Sequence, residues 1–397
     1  MKWNNPGNEL KTKYLKISDK YVNKKIYIYG AGIVGGRVYE SVASLTKWEI
    51  VGFFDIDETK KKYKGLPVYH RSEMNEILQR NPNSIIVVGL LDSLGKKTKN
   101  EIIKECEISL QSCVLYEEFI RHDFPIIMLH KYKKVFMDTI TMIVSERCTL
   151  RCKKCSIMLP YFKNIKEFPF IKLKSEADAF FRMVDFVGNY TLTGGEPLLN
   201  AELPQIVEYI GQNYRSKIGS FQIITNGMIS LSEELILLAK KYDIIMQVSD
   251  YTKAVPNIKE QVLENLQKYK NNGIRVDFLK DVQWVDFGFE TVQHNMSEEQ
   301  LMAFFDYCRT RCRGYVDGKI RYCINGYFAA KALGKEEDSN NFLDIANLKH
   351  SMEEKGILVE FDLGYNKDGY LHMCRQCNGT CEINKNFIEV GEQWGKF

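Results

Sequence analysis

Short apolar runs alternate with amphipathic stretches in two successive series, and this alternation constrains the fold more than any other feature of the chain. The first series holds the runs Lys25–Tyr29, 49–54 and 84–89, with helical patterns between them. A strand buried on both faces reads as a nearly continuous apolar run, and strand–helix alternation builds a doubly wound parallel sheet. Residues 1–125 are therefore expected to form an N-terminal Rossmann-like α/β domain, entered through a polar helix over 1–23 and closed near Phe124-Pro125.

The second series predicts strands at 139–145, 190–193, 220–225, Ile244–Ser249 and Arg275–Leu279, with clear helices at Glu233–Lys241 and 258–270. This pattern suggests a partial (β/α)6 barrel of the TIM type over 135–295, with function on the loops that follow the strands. Beyond about residue 310 the periodicity gives way to cysteines and glycines, so 296–397 reads as a small cysteine-rich extension. Neither internal repeats nor low-complexity segments occur.

A chain of 397 residues exceeds one ordinary core, in keeping with several domains. Its 55 Lys and Arg balance 51 Asp and Glu to a net charge of +4, which is no nucleic-acid footprint. Lys60-Lys61-Lys62 is expected on a solvated loop. No apolar stretch reaches the roughly 20 residues of a membrane span or resembles a leader, so a soluble, cytoplasmic protein without a membrane partner is expected. In a reducing compartment, clustered cysteines more often bind metal than form disulfides. Nine of the eleven cysteines fall in two groups, whereas Cys106 and Cys113 stand among apolar neighbours and read as packing residues.

The first group is Cys148-Thr149-Leu150-Arg151-Cys152-Lys153-Lys154-Cys155, three thiols on one short loop after a predicted strand. Thiolates are the usual ligands of iron–sulfur clusters, and three of them leave one iron of a four-iron cube open. Zinc is the alternative, although structural zinc normally takes four ligands in two separated pairs. The spacing resembles the signature of the radical SAM superfamily. That resemblance implies a [4Fe-4S] cluster on Cys148, Cys152 and Cys155, with the amino and carboxylate groups of S-adenosylmethionine (SAM) chelating the open iron. In one departure, Lys154 stands where many members carry an aromatic residue against the adenine.

A second motif, Thr193-Gly194-Gly195-Glu196-Pro197, ends the next predicted strand. Its glycines allow close backbone approach and free N–H groups for a carboxylate, and Glu196 can accept from an ammonium group. It resembles the superfamily's Gly-Gly-Glu-Pro motif, which holds the methionyl amino group. Asn226 and Ser249, at the ends of the third and fourth strands, are weaker matches; members often hold the SAM ribose and carboxylate at the latter place, and helix N-caps would explain both equally. The resemblance covers about residues 135–290.

The second group comprises Cys308, Cys312 and Cys323, then Cys374, Cys377 and Cys381. A cysteine pair around Gly318 followed by a distant Cys-x-x-Cys resembles the SPASM/twitch extensions of radical SAM enzymes, which carry auxiliary clusters. Six cysteines against seven in the full array imply one auxiliary [4Fe-4S] cluster. Its expected ligands are Cys312, Cys323, Cys374 and Cys377, with Cys308 and Cys381 in reserve. A tetrahedral zinc site stays open as the other reading.

Gly30-x-Gly32-x-x-Gly35 lies between a predicted strand and helix, with Asp55 20 residues further on. This is the context of a dinucleotide fingerprint, with the phosphate at a helix N-terminus and the acid on a ribose hydroxyl. The segment also resembles small nucleotide-binding domains that precede sugar-modifying enzymes, so a nucleotide-sugar, another nucleotide, NAD or no ligand all stay open.

The resemblance implies reductive cleavage of SAM to a 5′-deoxyadenosyl radical, driven by an external one-electron donor such as flavodoxin or ferredoxin. An activated or nucleotide-linked sugar is the expected substrate. Modification of a peptide or protein, and a non-catalytic iron–sulfur protein, are the alternatives.

Overall fold

A computed structural model describes residues 6–280, 282–308, 313–380 and 383–395. The polar lead-in is helix α1 (Pro6–Tyr21). The N-terminal sheet then forms from β1 (Lys25–Tyr29), β2 (Ile50–Asp55), β3 (Lys62–Tyr63), β4 (Leu66–His70), β5 (Ser84–Val88) and β6 (Cys113–Leu115). Helices α2 (Ile33–Leu45), α3 (Met74–Arg80) and α4 (Asp92–Glu105) connect them. The strand order is β3-β4-β2-β1-β5-β6, parallel throughout except for the β3–β4 hairpin. Alternate residues of β1 feed two cores, Ile26 and Ile28 on one face and Tyr27 and Tyr29 on the other. Burial on both faces is what the apolar runs required. Cys106 and Cys113 are buried in the second of these cores, as expected.

Phe124-Pro125 does not mark a linker. Helical segments α5 (Tyr116–Glu118) and α6 (Phe124–Ile127), joined and followed by π turns, run through to Tyr132. Phe124 packs edge-on against Phe136, which faces Phe186, so one core passes from the first domain into the starts of the next strands.

Those strands are β7 (Phe136–Ser145), β8 (Phe186–Gly194), β9 (Ile218–Thr225), β10 (Ile244–Ser249) and β11 (Arg275–Leu279), all parallel. They alternate with α7 (Phe170–Met183), α8 (Leu203–Tyr214), α9 (Glu233–Lys241) and α10 (Lys259–Asn271). The chain continues through β12 (Trp284–Val285) and α11 (Glu298–Cys308) to β13 (Gly314–Val316) and β14 (Lys319–Arg321). It ends with α12 (Ile324–Ala332), β15 (Phe342–Asp344), α13 (Met352–Asp362) and β16 (Phe387–Ile388). The sixth parallel strand is β13, beside β7, and it comes from the extension; antiparallel β14 and β15 continue the same sheet. Among the described residues no helix is long and apolar enough to cross a membrane.

The first domain docks on the end of the barrel where the strands begin. Tyr116 and Arg121 both donate to Asp138 near the start of β7. Helix α2 lies against the starts of β8 and β9, where a Cβ on Gly188 would sit 3.5 Å from Ser41 Oγ and one on Gly219 3.2 Å from Glu40 Oε2. The strands run away from this contact, and the 10 residues of β7 span about 33 Å.

Candidate active site at the strand ends

At the far end, β7 and β8 finish side by side and deliver the two main motifs together. Gly195 N–H donates to Ser145 O at 2.9 Å, and Glu196 N–H to Arg147 O at 2.7 Å. A Cβ on Gly194 would lie 2.0 Å from Ser145 O, and one on Gly195 2.1 Å from Arg147 O. The sequence suggested that these glycines bare their N–H groups to a ligand. Instead they let the turn lie against the cysteine loop, and the N–H groups of Gly195 and Glu196 are spent on that contact.

The loop brings Cys148, Cys152 and Cys155 close enough to interact electrostatically. Every sulfur faces N–H donors. Cys148 accepts from Leu150 N–H at 3.5 Å and from Asn226 Nδ2 at 3.9 Å. Cys152 accepts from Gln393 Nε2 at 3.3 Å. Cys155 accepts backbone N–H groups of the turn 157–159. Burial pushes the Cys148 thiol up to about 12 and the Cys152 thiol to about 11. Neutral thiols have little use for so many donors, whereas metal-bound thiolates do. The donor set thus fits an iron–sulfur cube.

Glu196 is fully buried beside this loop. Its Oε1 accepts from Leu198 N–H at 3.1 Å and Thr225 Oγ1 at 2.9 Å, and its Oε2 accepts from Asn226 N–H at 2.9 Å. Burial outweighs these donors and lifts its carboxyl to about 7. Asn226 also donates to Thr149 Oγ1 at 2.8 Å, so it joins the carboxylate to the cysteine loop. Neither Asn226 nor Ser249 caps a helix, because α9 starts from Ser232 and α10 begins at Lys259. Ser249 instead bonds Tyr251, whose phenol is raised by burial and by the nearby Cys152 thiol.

Lys154, where an aromatic residue was the family expectation, turns to Asp286 Oδ2 at 3.1 Å and Glu290 Oε2 at 3.4 Å. Tyr161 donates to Glu290 Oε1 at 2.6 Å. Aromatic surface beside the loop comes from elsewhere: Tyr251 packs edge-on against Trp284, and Tyr161 against Trp394. Sequence reasoning missed Thr225, Tyr251, Asp286, Glu290 and Gln393. Only the first two lie at the ends of strands expected from the sequence, where position was a signal.

In the extension, Cys308, Cys323, Cys374 and Cys377 line one cavity together with Phe287 and Phe289. Cys323 accepts from Gly326 N–H at 3.3 Å and Cys377 from Gly379 N–H at 3.2 Å. Cys308, expected only as a reserve, is thus part of this group; Cys312 and Cys381 lie outside the described residues. Among the described residues, no three Cys, His, Asp or Glu side chains converge as a single-ion site requires.

The glycine loop departs from its fingerprint. Asp55 is buried, with Oδ2 accepting from Ala31 N–H at 2.8 Å and from Lys60 Nζ at 3.0 Å, and Oδ1 from Asp57 N–H at 3.0 Å. Its oxygens hold the loop rather than waiting for a ribose; Lys61 and Lys62 are exposed as expected, and half-exposed Lys60 pairs with Asp55. Tyr63 donates to Gly32 O at 3.1 Å and lies over the first turn of α2. Gly35 is required by packing, since a Cβ there would sit 1.9 Å from Gly30 O.

Fold and site together define a radical SAM domain. The model of the radical SAM superfamily matches residues 142–285, and that of the PglD N-terminal domain matches 25–104. The chain therefore carries a radical SAM superfamily domain, the hallmark of that class of enzyme, behind a PglD-type N-terminal domain. A GTP 3′,8-cyclase of Syntrophomonas wolfei subsp. wolfei is 26% identical over 179 residues, covering 40% of this chain and 53% of that protein. A GTP 3′,8-cyclase of Campylobacter fetus subsp. fetus is 23% identical over 273 residues, covering 63% and 78%. The chain thus spans about half the length of the first of these relatives. Of solved structures, BtrN in complex with AdoMet and 2-DOIA is 16% identical, covering 62% of this chain and 94% of that one with a TM-score of 0.37.

Proposed function

We propose that this protein binds SAM at the end of β7–β10 and cleaves it reductively to abstract hydrogen from a small polar substrate. The observation that carries the reading is the coupling of Glu196 to the cysteine loop through Asn226, beside three thiols supplied with N–H donors. Cys148, Cys152 and Cys155 would hold a [4Fe-4S] cluster, and that cluster would supply the one electron needed for reductive cleavage of SAM.

The protein's own groups hold and orient. Glu196 is ionised by an incoming ammonium group and grips it, with its other lone pairs already taken by Thr225, Leu198 and Asn226. Ser249 and Tyr251 line the same end of the sheet, and Tyr251 lies beside the thiols. Lys154, Asp286, Glu290 and Tyr161 set hydrogen-bonding groups of both charges beside the loop, which suits a hydroxylated, activated or nucleotide-linked sugar. The nucleotide named in the relatives' activity belongs to the same polar class. The docking of the first domain at the opposite end speaks against delivery of substrate by the glycine loop within one chain.

Cys308, Cys323, Cys374 and Cys377 would hold one auxiliary cluster. Four thiols around one cavity suit a multi-iron group, and zinc is the other occupant such a set could take.

The test is anaerobic reconstitution with iron and sulfide, followed by dithionite and SAM. Release of 5′-deoxyadenosine by the wild type and its loss in Cys152→Ala are expected; release by the variant would overturn the assignment.

A further inference from the structure

We propose that Gln393 is a positioning residue that sets the reduction potential of the SAM-binding cluster through a hydrogen bond to Cys152. The proposal rests on the radical SAM reading above and adds a residue to it.

The segment around Gln393 lies against the cysteine loop through a single β-bridge, far from it in sequence. Cys152 and Gln393 form an antiparallel bridge. Lys153 N–H donates to Glu392 O at 2.7 Å, and Trp394 N–H donates to Arg151 O at 2.8 Å. Lys153 and Glu392 are also ion-paired, and Trp394 meets Tyr161 edge-on. Gly391 adopts φ +77, and a Cβ there would sit 2.6 Å from Tyr251 Cδ1, so the segment is also pressed against the ring that faces the thiols.

At this bridge the Gln393 amide acts as a two-sided clip. Its Oε1 accepts from Arg151 N–H at 2.7 Å, while its Nε2 donates to Cys152 Sγ at 3.3 Å and to Gly391 O. The reverse orientation would set an NH2 group against the Arg151 N–H, so the network dictates which end meets the sulfur. Hydrogen bonds to ligand sulfurs are a principal determinant of iron–sulfur potentials. An N–H donor stabilises the more negative, reduced cluster and raises its potential. Cys148 takes its shorter N–H contact from Leu150, and Cys155 is met by the backbone of the turn 157–159. At Cys152 the residue's own backbone N–H is joined by a side-chain donor, Gln393 Nε2, which can be removed without altering the ligand set.

The experiment is a redox titration of the reconstituted full chain, followed by the EPR signal of the reduced cluster, for wild type, Gln393→Leu and Gln393→Glu. Both variants lose the donor; Gln393→Glu keeps the acceptor for Arg151. The expected result is a fall in potential in both, of the order of tenfold in reduced-to-oxidised ratio at fixed potential, about 59 mV for one electron. In D2O, one exchangeable deuteron coupled to the cluster should disappear. Unchanged potential and deuteron coupling in variants that still carry the cluster would overturn the role of Gln393 and leave the radical SAM reading standing. A wild type that binds no cluster would overturn that reading itself. Should Gln393→Leu lose iron, Gln393→Glu decides.

Discussion

Lys331 Nζ lies 2.6 Å from Oε1 of Glu146, a carboxylate with no exposed side-chain surface two residues before Cys148. The other oxygen of Glu146 accepts from Lys166 N–H. Lys331 sits in the last turn of α12, and the N-cap of that helix is Cys323. One helix of 9 residues, about 13 Å long, therefore ties the two thiol groups together.

Breaking that pair should be costly. Lys331→Met leaves the Glu146 carboxylate buried and unpaired, for an expected loss of about 3–5 kcal/mol. A lower urea midpoint would show it, and adding Glu146→Gln should recover part of the loss.

SAM affinity should depend on pH through Glu196. Its carboxyl sits near 7 because burial disfavours the charge. A carboxyl raised in this way favours folding most below its ordinary range, and that contribution is lost as pH rises through 7. Binding has the opposite sign, since an ammonium ligand needs the carboxylate. Calorimetry should show SAM affinity rising up to about tenfold from pH 6 to pH 8 in the wild type, with a weak and flat profile in Glu196→Gln.

Glycine substitutions should separate packing from mere resemblance. Gly195→Ala drives a Cβ into Arg147 O and should cost the cysteine loop its iron while the sheet stays folded, as judged by circular dichroism. Gly35→Ala should unfold the first domain. Gly32→Ala meets nothing within 4 Å and should change stability by no more than about 0.5 kcal/mol.

Iron counting should choose between the candidate ligands of the extension. Cys308→Ala is expected to lower the content by about four iron atoms per chain, as should Cys374→Ala. Cys312→Ala should leave it near the wild-type value.

Most of the barrel could be read beforehand because its strands are long, apolar and spaced by amphipathic helices, as in 139–145 or Ile244–Ser249. Three-residue strands such as Gly314–Val316 carry no such periodicity, and their place in the sheet depends on β7. The cysteine loop and Glu196 were legible through motif spacing. The carboxylate of Asp55 was misjudged because a fingerprint names a residue type and not its partners. Phe124-Pro125 looked like a boundary because proline usually interrupts helices, yet π turns on either side absorb it. Gln393 was invisible: its partner is 241 positions away, and glutamine in a polar stretch carries no signal of its own.

The seating of α2 against the starts of β8 and β9 has a consequence for whatever small molecule the glycine loop takes up. Such a molecule would be separated from Glu196 and the cysteine loop by the length of the strands, and so would act on that site as a messenger rather than a reactant. Its presence would register at Glu196 and Cys148 only as a change in how tightly the strands between them are held.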